Sequence, residues 1–444
     1  MSDLLSLLSF GSNAIAATNV NIGVTSNNVA NANTEGYSRQ SADISGTPVR
    51  VADNLLSGRI QTAAGSLAMS QAFADALAEL QGGLTSGGSL DEQVGAMFSK
   101  VGAASAAPTD PTSRNAVVAA ARALVGGIQR RSASMATARK EADARIRDHA
   151  VTATSLAKQL AAANTAVAKA GPHGNPAASD ARDKIAKQLG QIVGGQARID
   201  HDGQMRYVLD GGAVLVDGKH AATLSATPDR ATGTSRLEVV NGGSRRDVTS
   251  AIAGGALGAQ LAIRDHTIPQ ISSQLDQLAF DVTTSMNAVH TANAGLDGVT
   301  GRAMFTPLTQ VAGAAAAMAV DPALDADSSL LALAAPGSGP GNNRGALALF
   351  AVGTQNVASG GSRTIGDASL DVVSGVALST ADAQGSVMRD SLVSDHLASL
   401  RDSLAGVDTQ EELTNLARFE HASSAMTKVV STIDDMLGSL ISKL

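Results

Sequence analysis

Cysteine is missing from all 444 residues, tryptophan is missing too, and aromatic residues reach only 2%. Without thiols there is no disulfide framework and no Cys-ligated zinc site. With so few rings and so much Ala among the apolar residues, the chain reads as slender, closely packed helices rather than a thick aromatic core. Charge is also sparse: 16% of residues, net −7, and no Lys/Arg run longer than two. That balance argues against a nucleic-acid partner held on a basic face. No uninterrupted apolar stretch is long enough to span a bilayer, so no membrane partner is expected.

Catalytic signatures are absent as well. The glycines of Gly337-Ser338-Gly339-Pro340-Gly341 lie outside a strand–helix frame, and Pro340 removes a donor, so the segment reads as a linker and not a phosphate loop. Asp321, Asp325 and Asp327 lack the Gly and terminal Glu of a calcium loop and read as turn and cap residues. His201 falls between Asp200 and Asp202 at an expected hairpin tip, and no His pair has zinc spacing. No Gly-x-Ser-x-Gly elbow occurs. The expectation is a non-enzyme with no cofactor and no metal.

What the chain does have is periodicity at both ends. From about Glu411 the apolar residues Phe419, Ala422, Met426, Val429, Ile433, Met436, Leu440 and Leu444 step by three and four, the seam of a helix packed along another helix. Ser423, Lys428, Ser431 and Lys443 are placed on its other faces. The first thirty residues carry a lighter seam, Leu4, Leu8, Gly11, Ile15, Thr18, Ile22, Thr25 and Val29. Neither stripe can bury itself, so the two helices are natural partners; a single globular core containing both is the other reading. Leu4-Leu5-Ser6-Leu7-Leu8 lacks the basic flank and the cleavage site of a signal peptide and follows Asp3.

Between the ends, helices are expected over 55–80, from Ser89 (an N-cap with Glu92 as capping-box partner), over 112–170, and over 180–193. Gly82-Gly83 and Gly87-Gly88 bracket a loop, Gly126-Gly127 offers a bend, and Gly171 to Pro176 is a hinge. The alternating charges of Arg139 to Arg147 read as a solvated face. From Gln196 the period becomes alternating, with hairpin signals at Asp202-Gly203, Asp210-Gly211-Gly212, Asp217-Gly218 and Asn241-Gly242-Gly243. Helix returns over 257–292, with a kink expected at Pro269, and again over 346–352 and 370–404. The expected fold is therefore mainly α with a small inserted antiparallel β domain, an elongated helical bundle with terminal coiled-coil arms. Its parts are 1–40 with 406–444 as the coiled-coil assembly domain, 41–195 with 256–405 as the helical rod, and 196–255 as the β insert.

One stretch narrows the function. Asn27, Asn28, Asn31 and Asn33 cluster ahead of Gly36-Tyr37-Ser38-Arg39-Gln40; Asn tolerates left-handed backbone, so the cluster with Gly36 ends the first helix and turns the chain. In wording this run resembles the N-terminal signature of the flagellar axial proteins, which build rod, hook and hook–filament junction, and its ending is similar to that of the hook-associated junction branch. Gly406-Val407-Asp408-Thr409-Gln410-Glu411-Glu412-Leu413 is similar to the end of the same family, with Asp408 and Thr409 in place of the usual Asn and Leu. Asp180-Ala181-Arg182-Asp183 resembles the stretch that introduces its variable domain.

The resemblance implies a structural, self-assembling protein of the bacterial flagellum. The implied assembly interface is Leu4, Leu8, Ile15, Ile22 and Val29 on one arm and Phe419, Met426, Val429, Ile433, Met436 and Leu440 on the other. Implied partners are further copies of the chain, the flagellar hook protein, a second hook-associated junction protein, and an export chaperone on the C-terminal helix. From the residues alone the chain reads as cytoplasmic. The resemblance instead implies secretion through type III export without a cleaved signal peptide, to which a thiol-free chain is suited. Assembly by burial of apolar seams further leads to the expectation that the arms, residues 4–29 and 413–440, are largely disordered in the free monomer and gain order on assembly. A hook or rod protein of the same family, and a free coiled-coil binding module, are the alternatives.

Overall fold

The computed structural model of the chain describes residues 2–43, 46–170 and 175–442. The expected hinge residues Gly171 to Gly174, and Lys443 and Leu444 at the end of the expected seam, lie outside the described residues. In chain order the elements are α1 (Ser2–Asn31), β1 (Gln40–Ala42), β2 (Pro48–Arg50), α2 (Asn54–Thr85), α3 (Leu90–Ala106), α4 (Pro111–Lys169) and α5 (Pro176–Val193). Seven strands follow: β3 (Gln196–Ile199), β4 (Met205–Val208), β5 (Val214–Asp217), β6 (His220–Ala221), β7 (Thr223–Pro228), β8 (Ser235–Asn241) and β9 (Ser244–Asp247). Helices α6 (Gly255–Ala262), α7 (Ile268–Ala292), α8 (Ala314–Ala317), α9 (Pro322–Ala326), α10 (Arg344–Val352), α11 (Ile365–Ala405) and α12 (Thr409–Ile441) complete the chain. The protein is mainly α with a small antiparallel β insert, as its change of hydrophobic period dictates.

The chain forms two compact units. The first comprises residues 1–69, 147–258 and 388–444, and so contains both chain ends and strands β1 to β9. Helices α1 and α12 pair with each other, and the short antiparallel ribbon β1–β2 follows the Asn-rich stretch. The insert folds as two antiparallel meanders, β3-β4-β5-β6 and β7-β8-β9. Each of the four expected Gly-containing turns joins consecutive strands, because those residues adopt the positive φ that tight turns require. Strand β9 escapes the sequence pattern because Ser244-Arg245-Arg246-Asp247 is exposed throughout and has no alternation to read. Buried Asn164 of α4 fastens the insert: its amide donates to the carbonyls of Met205 (2.8 Å) and Gly218 (2.8 Å) and accepts from the Met205 N–H (3.1 Å).

The second unit comprises residues 70–146 and 259–387 and carries the larger apolar core, built from Leu77, Leu84, Leu124, Ile128, Leu275, Val282 and their neighbours. Several local expectations change here. Helix α2 runs through Gly82-Gly83 instead of stopping at Leu80, because a Cβ on Gly83 would sit 2.3 Å from Ser134 Oγ, so Gly serves close helix approach there and not a loop. Gly87 and Gly88, with φ of 84° and 95°, make the turn by themselves. Ser89 occupies the N-cap position but its hydroxyl donates to Asp91, so the box with Glu92 does not form. Helix α4 is continuous through Gly126-Gly127. Before Pro269 the helix widens into one π turn, Ile263–Thr267, which takes up the missing proline N–H and lets α7 begin in helical geometry.

The charged stretch of α4 is not wholly a solvated face. Asp143 receives Arg264 Nη1 at 2.8 Å, and the Arg264 side chain is buried. Asp321 and Asp327 are caps, accepting from the N–H groups of Ala323 and Ser329, while Asp325 pairs with Arg122. His201 is an exposed hairpin-tip residue 3.1 Å from Asp202.

Candidate functional site

The Asn-rich stretch and the start of α12, far apart in sequence, meet in one polar knot. Helix α1 ends at Asn31, and Gly36 at φ 85° sends the chain back along it, which brings Tyr37 to Gln40 beside Asn28. Asn28 is 1% exposed and uses its whole amide. Its Nδ2 donates to the Gln40 carbonyl (2.9 Å) and to Glu412 Oε2 (3.1 Å), and its Oδ1 accepts from Tyr37 Oη (2.9 Å) and the Gln40 N–H (2.9 Å). No other amide orientation satisfies both sets of partners, so the residue type is fixed by its surroundings.

Arg39 closes the knot from the other side. Its Nε donates to Glu412 Oε1 (2.7 Å), its Nη2 to Glu411 Oε1 (2.7 Å), and its backbone N–H to the Ala405 carbonyl (2.8 Å). The hydrogen bond to Glu411 raises the Arg39 pKa against the opposing effect of burial. Glu412 is 2% exposed and both its oxygens are taken. Asp408 caps α12, accepting from the N–H groups of Gln410 (2.9 Å) and Glu411 (3.2 Å), and the acidic first turn suits the positive end of the helix dipole.

Ser38 extends the knot to α5: its N–H and hydroxyl donate to Asp180 (3.1 and 2.9 Å). Arg50 of β2 reaches Asp180 (3.0 Å) and Asp183 (2.6 Å), and Arg401 of α11 donates to the Tyr37 carbonyl (2.8 Å). Burial works against the Arg50 charge, but the two aspartates outweigh it and its pKa is raised. Burial, then the carboxylates of Asp180 and Glu412, push the Tyr37 phenol up to about 12. These contacts hold α1, α5, α11 and α12 to the Tyr37–Gln40 stretch. Among the described residues no group of three or more His, Asp or Glu is placed to hold a metal, and no helix is long and apolar enough to cross a membrane.

Of the motif residues, Asn28, Gly36, Tyr37, Ser38, Arg39 and Gln40 are brought together here. Asn27 and Asn33 are exposed, and Asn31 bonds only locally, to the Asn27 carbonyl and the Thr34 hydroxyl. The sequence reading missed Arg50, Arg401 and the role of Glu412. For Glu412 a signal existed: it lies seven residues before Phe419 and continues that seam.

The arms are helical and antiparallel: Asn28 meets Glu412, Asn19 meets Ser423, and Gly11 lies against Val430. Leu4, Leu8, Ile15, Ile22 and Val29 are half-buried on α1, and Phe419, Met426 and Ile433 face them on α12. The rest of the expected C-terminal seam is corrected. The residues turned toward α1 are Glu412, Leu416, Phe419, Ser423, Met426, Val430, Ile433 and Leu437, stepping by four and three without a break. Ala422, Val429, Met436 and Leu440 are exposed, since each of the first three precedes a seam residue and is turned by about 100°. Ser423, assigned to a polar outer face, belongs to the seam.

Comparison with known proteins agrees with this construction. The profile of the family described as "Flagellar hook-associated protein FlgK helical domain" matches residues 76–305, and that described as "Flagella basal body rod protein" matches 8–37. Flagellar hook-associated protein 1 of Salmonella typhimurium is 26% identical over 204 residues, 44% of this chain and 37% of that protein. The chain thus spans little over a third of the Salmonella relatives it matches. Its counterparts in Escherichia coli (22% identical, 99% of this chain and 100% of the relative) and Bacillus subtilis (22%, 96% of each) align almost throughout. The flagellar hook junction protein FlgK from Burkholderia pseudomallei superposes with a TM-score of 0.69 at 13% identity, covering 78% of this chain and 100% of that one, a likeness of fold. With a profile spanning more than half of its residues, the chain belongs to the FlgK family of flagellar hook-associated proteins.

Proposed function

We propose that the chain is a structural junction component of the bacterial flagellum that joins hook to filament by assembling through its terminal helices. The observation that carries this reading is the knot in which Asn28, Arg39 and Glu412 fasten the two ends of the chain into one antiparallel pair. A chain whose ends are pinned together with apolar side chains still facing water is built to be completed by other molecules. The partners are further copies of the chain, the hook protein on one side and a second hook-associated junction protein on the other. An export chaperone covers α12 beforehand. The protein is extracellular and leaves the cell without a cleaved signal peptide. The pair is short of buried area in the free chain and becomes secure on assembly.

The helical residues 76–305 favour this over a hook or rod protein, which the shared N-terminal arm alone would allow. The test is complementation of a strain lacking its own hook-associated protein 1. The full chain restores swimming and retains filaments, whereas a chain lacking residues 1–33 leaves cells immotile and sheds filament subunits into the medium. Full function of the truncated chain would sink the reading.

A further inference from the structure

Strand β3 is an outer strand of its four-stranded meander, and its free edge borders a groove. At the hairpin tip the Asp200 N–H donates to the Gln204 carbonyl (2.9 Å). Antiparallel alternation then gives the backbone groups of Arg198 and Gln196 to β4 and turns those of Ala197 and Ile199 outward. Among the described residues no other segment bonds to that edge. Strand β7, by contrast, is covered at Leu224 by Thr154 of α4, whose hydroxyl accepts the Leu224 N–H (3.0 Å) and donates to the Leu224 carbonyl (3.1 Å). The groove encloses about 790 Å³ between β3 and helices α2 and α11. Leu55, Ala63, Ile199, Met205, Val393 and Leu397 give it an apolar lining, and Leu55 and Val393 are 70% and 52% exposed. Gln61, 7% exposed, also lines it, and its Oε1 accepts no hydrogen bond among the described residues. A buried acceptor is costly until something supplies a donor.

We propose that this groove takes an extended segment of a partner protein, which adds an antiparallel strand beside β3 and sets a carboxylate opposite Arg198. The proposal concerns the β insert and its flanking helices and stands whether or not the arms assemble copies of the chain. Charge complementarity commits it to an acidic segment. On the exposed face of the sheet Arg198 stands opposite Arg206, and Arg206 opposite Asp217. Arg206 is satisfied by Asp217, its Nε and Nη2 each 2.9 Å from a carboxylate oxygen. Arg198 is left facing a like charge, and among the described residues its hydrogen bond goes to the neutral Gln196 Oε1 (3.2 Å). Like charges directly opposite one another destabilise a sheet, so an Asp or Glu on the added strand gives Arg198 the kind of partner that Arg206 already has. The residue opposite Arg198 falls in a non-hydrogen-bonded pair, where facing side chains stand closest. The carboxylates of the lining do not serve: Arg50 holds Asp183 (2.6 Å), and Asp390 has a partner of its own. Residues on either side of the added carboxylate point to the other face by the period of two and lie against the apolar lining. Backbone pairing supplies the affinity of such an addition, and the alternate side chains supply its selectivity.

The probe is an end-capped peptide, Thr-Val-Glu-Val-Thr, titrated into the full-length chain beside a counterpart with Lys in place of Glu, both read by the anisotropy of the same neutral dye. The Glu peptide is expected to bind with a Kd of about 1 mM or tighter, and at least about tenfold more tightly than the Lys peptide. Arg198 is exposed, so Arg198→Glu should leave the fold intact by circular dichroism while reversing that preference. Methylating the backbone nitrogen of either Val removes a donor aimed at β3 and should weaken binding about tenfold, whereas methylating the Glu nitrogen, which faces away, should leave it unchanged. Failure of the Glu peptide to bind at several times that concentration would overturn the proposal. Equal binding of the two peptides, or an Arg198→Glu chain that keeps the original preference, would mean that the groove holds apolar side chains without reading charge, and the proposal falls. Any other ranking of the methylated peptides excludes the antiparallel strand.

Discussion

Asn28 shows how much one buried amide can decide. It could not be singled out from Asn27, Asn31 and Asn33 by composition, since all four sit in the same run; only the fold reveals that one of them faces α12 while the others face water or their own helix. The signature as a unit was legible because Gly36 and the Asn cluster announce a helix end whatever follows. The identity of the acidic partner was not, because Glu411 and Glu412 are neighbours in sequence and differ only in that the second lies on the seam. The isosteric change Asn28→Asp tests the assignment. It replaces two donors by an oxygen facing the Glu412 carboxylate and the Gln40 carbonyl, leaving a buried charge unpaired. A loss of about 2–4 kcal/mol is expected, read as a lower denaturant midpoint with unchanged slope. Asn28→Asp at wild-type stability would remove Asn28 from the centre of the knot.

At the scale of the element, the α1 seam was legible but for buried Val24 and Asn28, and the α12 seam only in part. Val429, Met436 and Leu440 are as apolar as Val430, Ile433 and Leu437, so two overlapping stripes satisfy the same period and sequence alone has no reason to prefer one. The gaps in the α1 stripe carried information of another kind. Gly11 stands where Leu would complete the pattern, and a Cβ there would lie 2.6 Å from Val430 Cγ2. Val430 is β-branched and held in one rotamer by its helix, so it cannot swing aside. Gly11→Leu should therefore separate the arms, even though it raises both helix propensity and apolarity. The expected signature is faster amide exchange over residues 4–20 and 425–440 with unchanged exchange in the second unit. Slower exchange in both arms would mean that the larger side chain fits and that the helices are not in close approach at that point.

For the whole molecule, the order of helices, β insert and helices follows from where the hydrophobic period changes, and that much the sequence states openly. The division into two units does not follow, because α2, α4 and α11 each supply residues to both and no linker marks a boundary. The larger core draws no residue from either arm, so it should stand without them. His290 reports on it independently. The side chain is fully buried in the second unit, with Nδ1 2.7 Å from the Arg302 carbonyl and Nε2 accepting the Ala332 N–H at 2.9 Å, an arrangement that needs the neutral ring. Burial lowers its pKa below the ordinary 6.5, outweighing the hydrogen bond to the Arg302 carbonyl and the nearby Asp321, while the Arg302 and Arg114 charges act in the same direction as burial. A group held neutral in this way contributes stability that is fully present above pH 6.5 and is lost as pH falls through the folded-state value. An armless chain, residues 34–412, should accordingly lose second-unit stability over the same acid range as the intact protein, and His290→Phe should flatten that range in both. An acid transition that shifts when the arms are removed would mean that the core leans on them, and the ends could not then be free to engage other molecules.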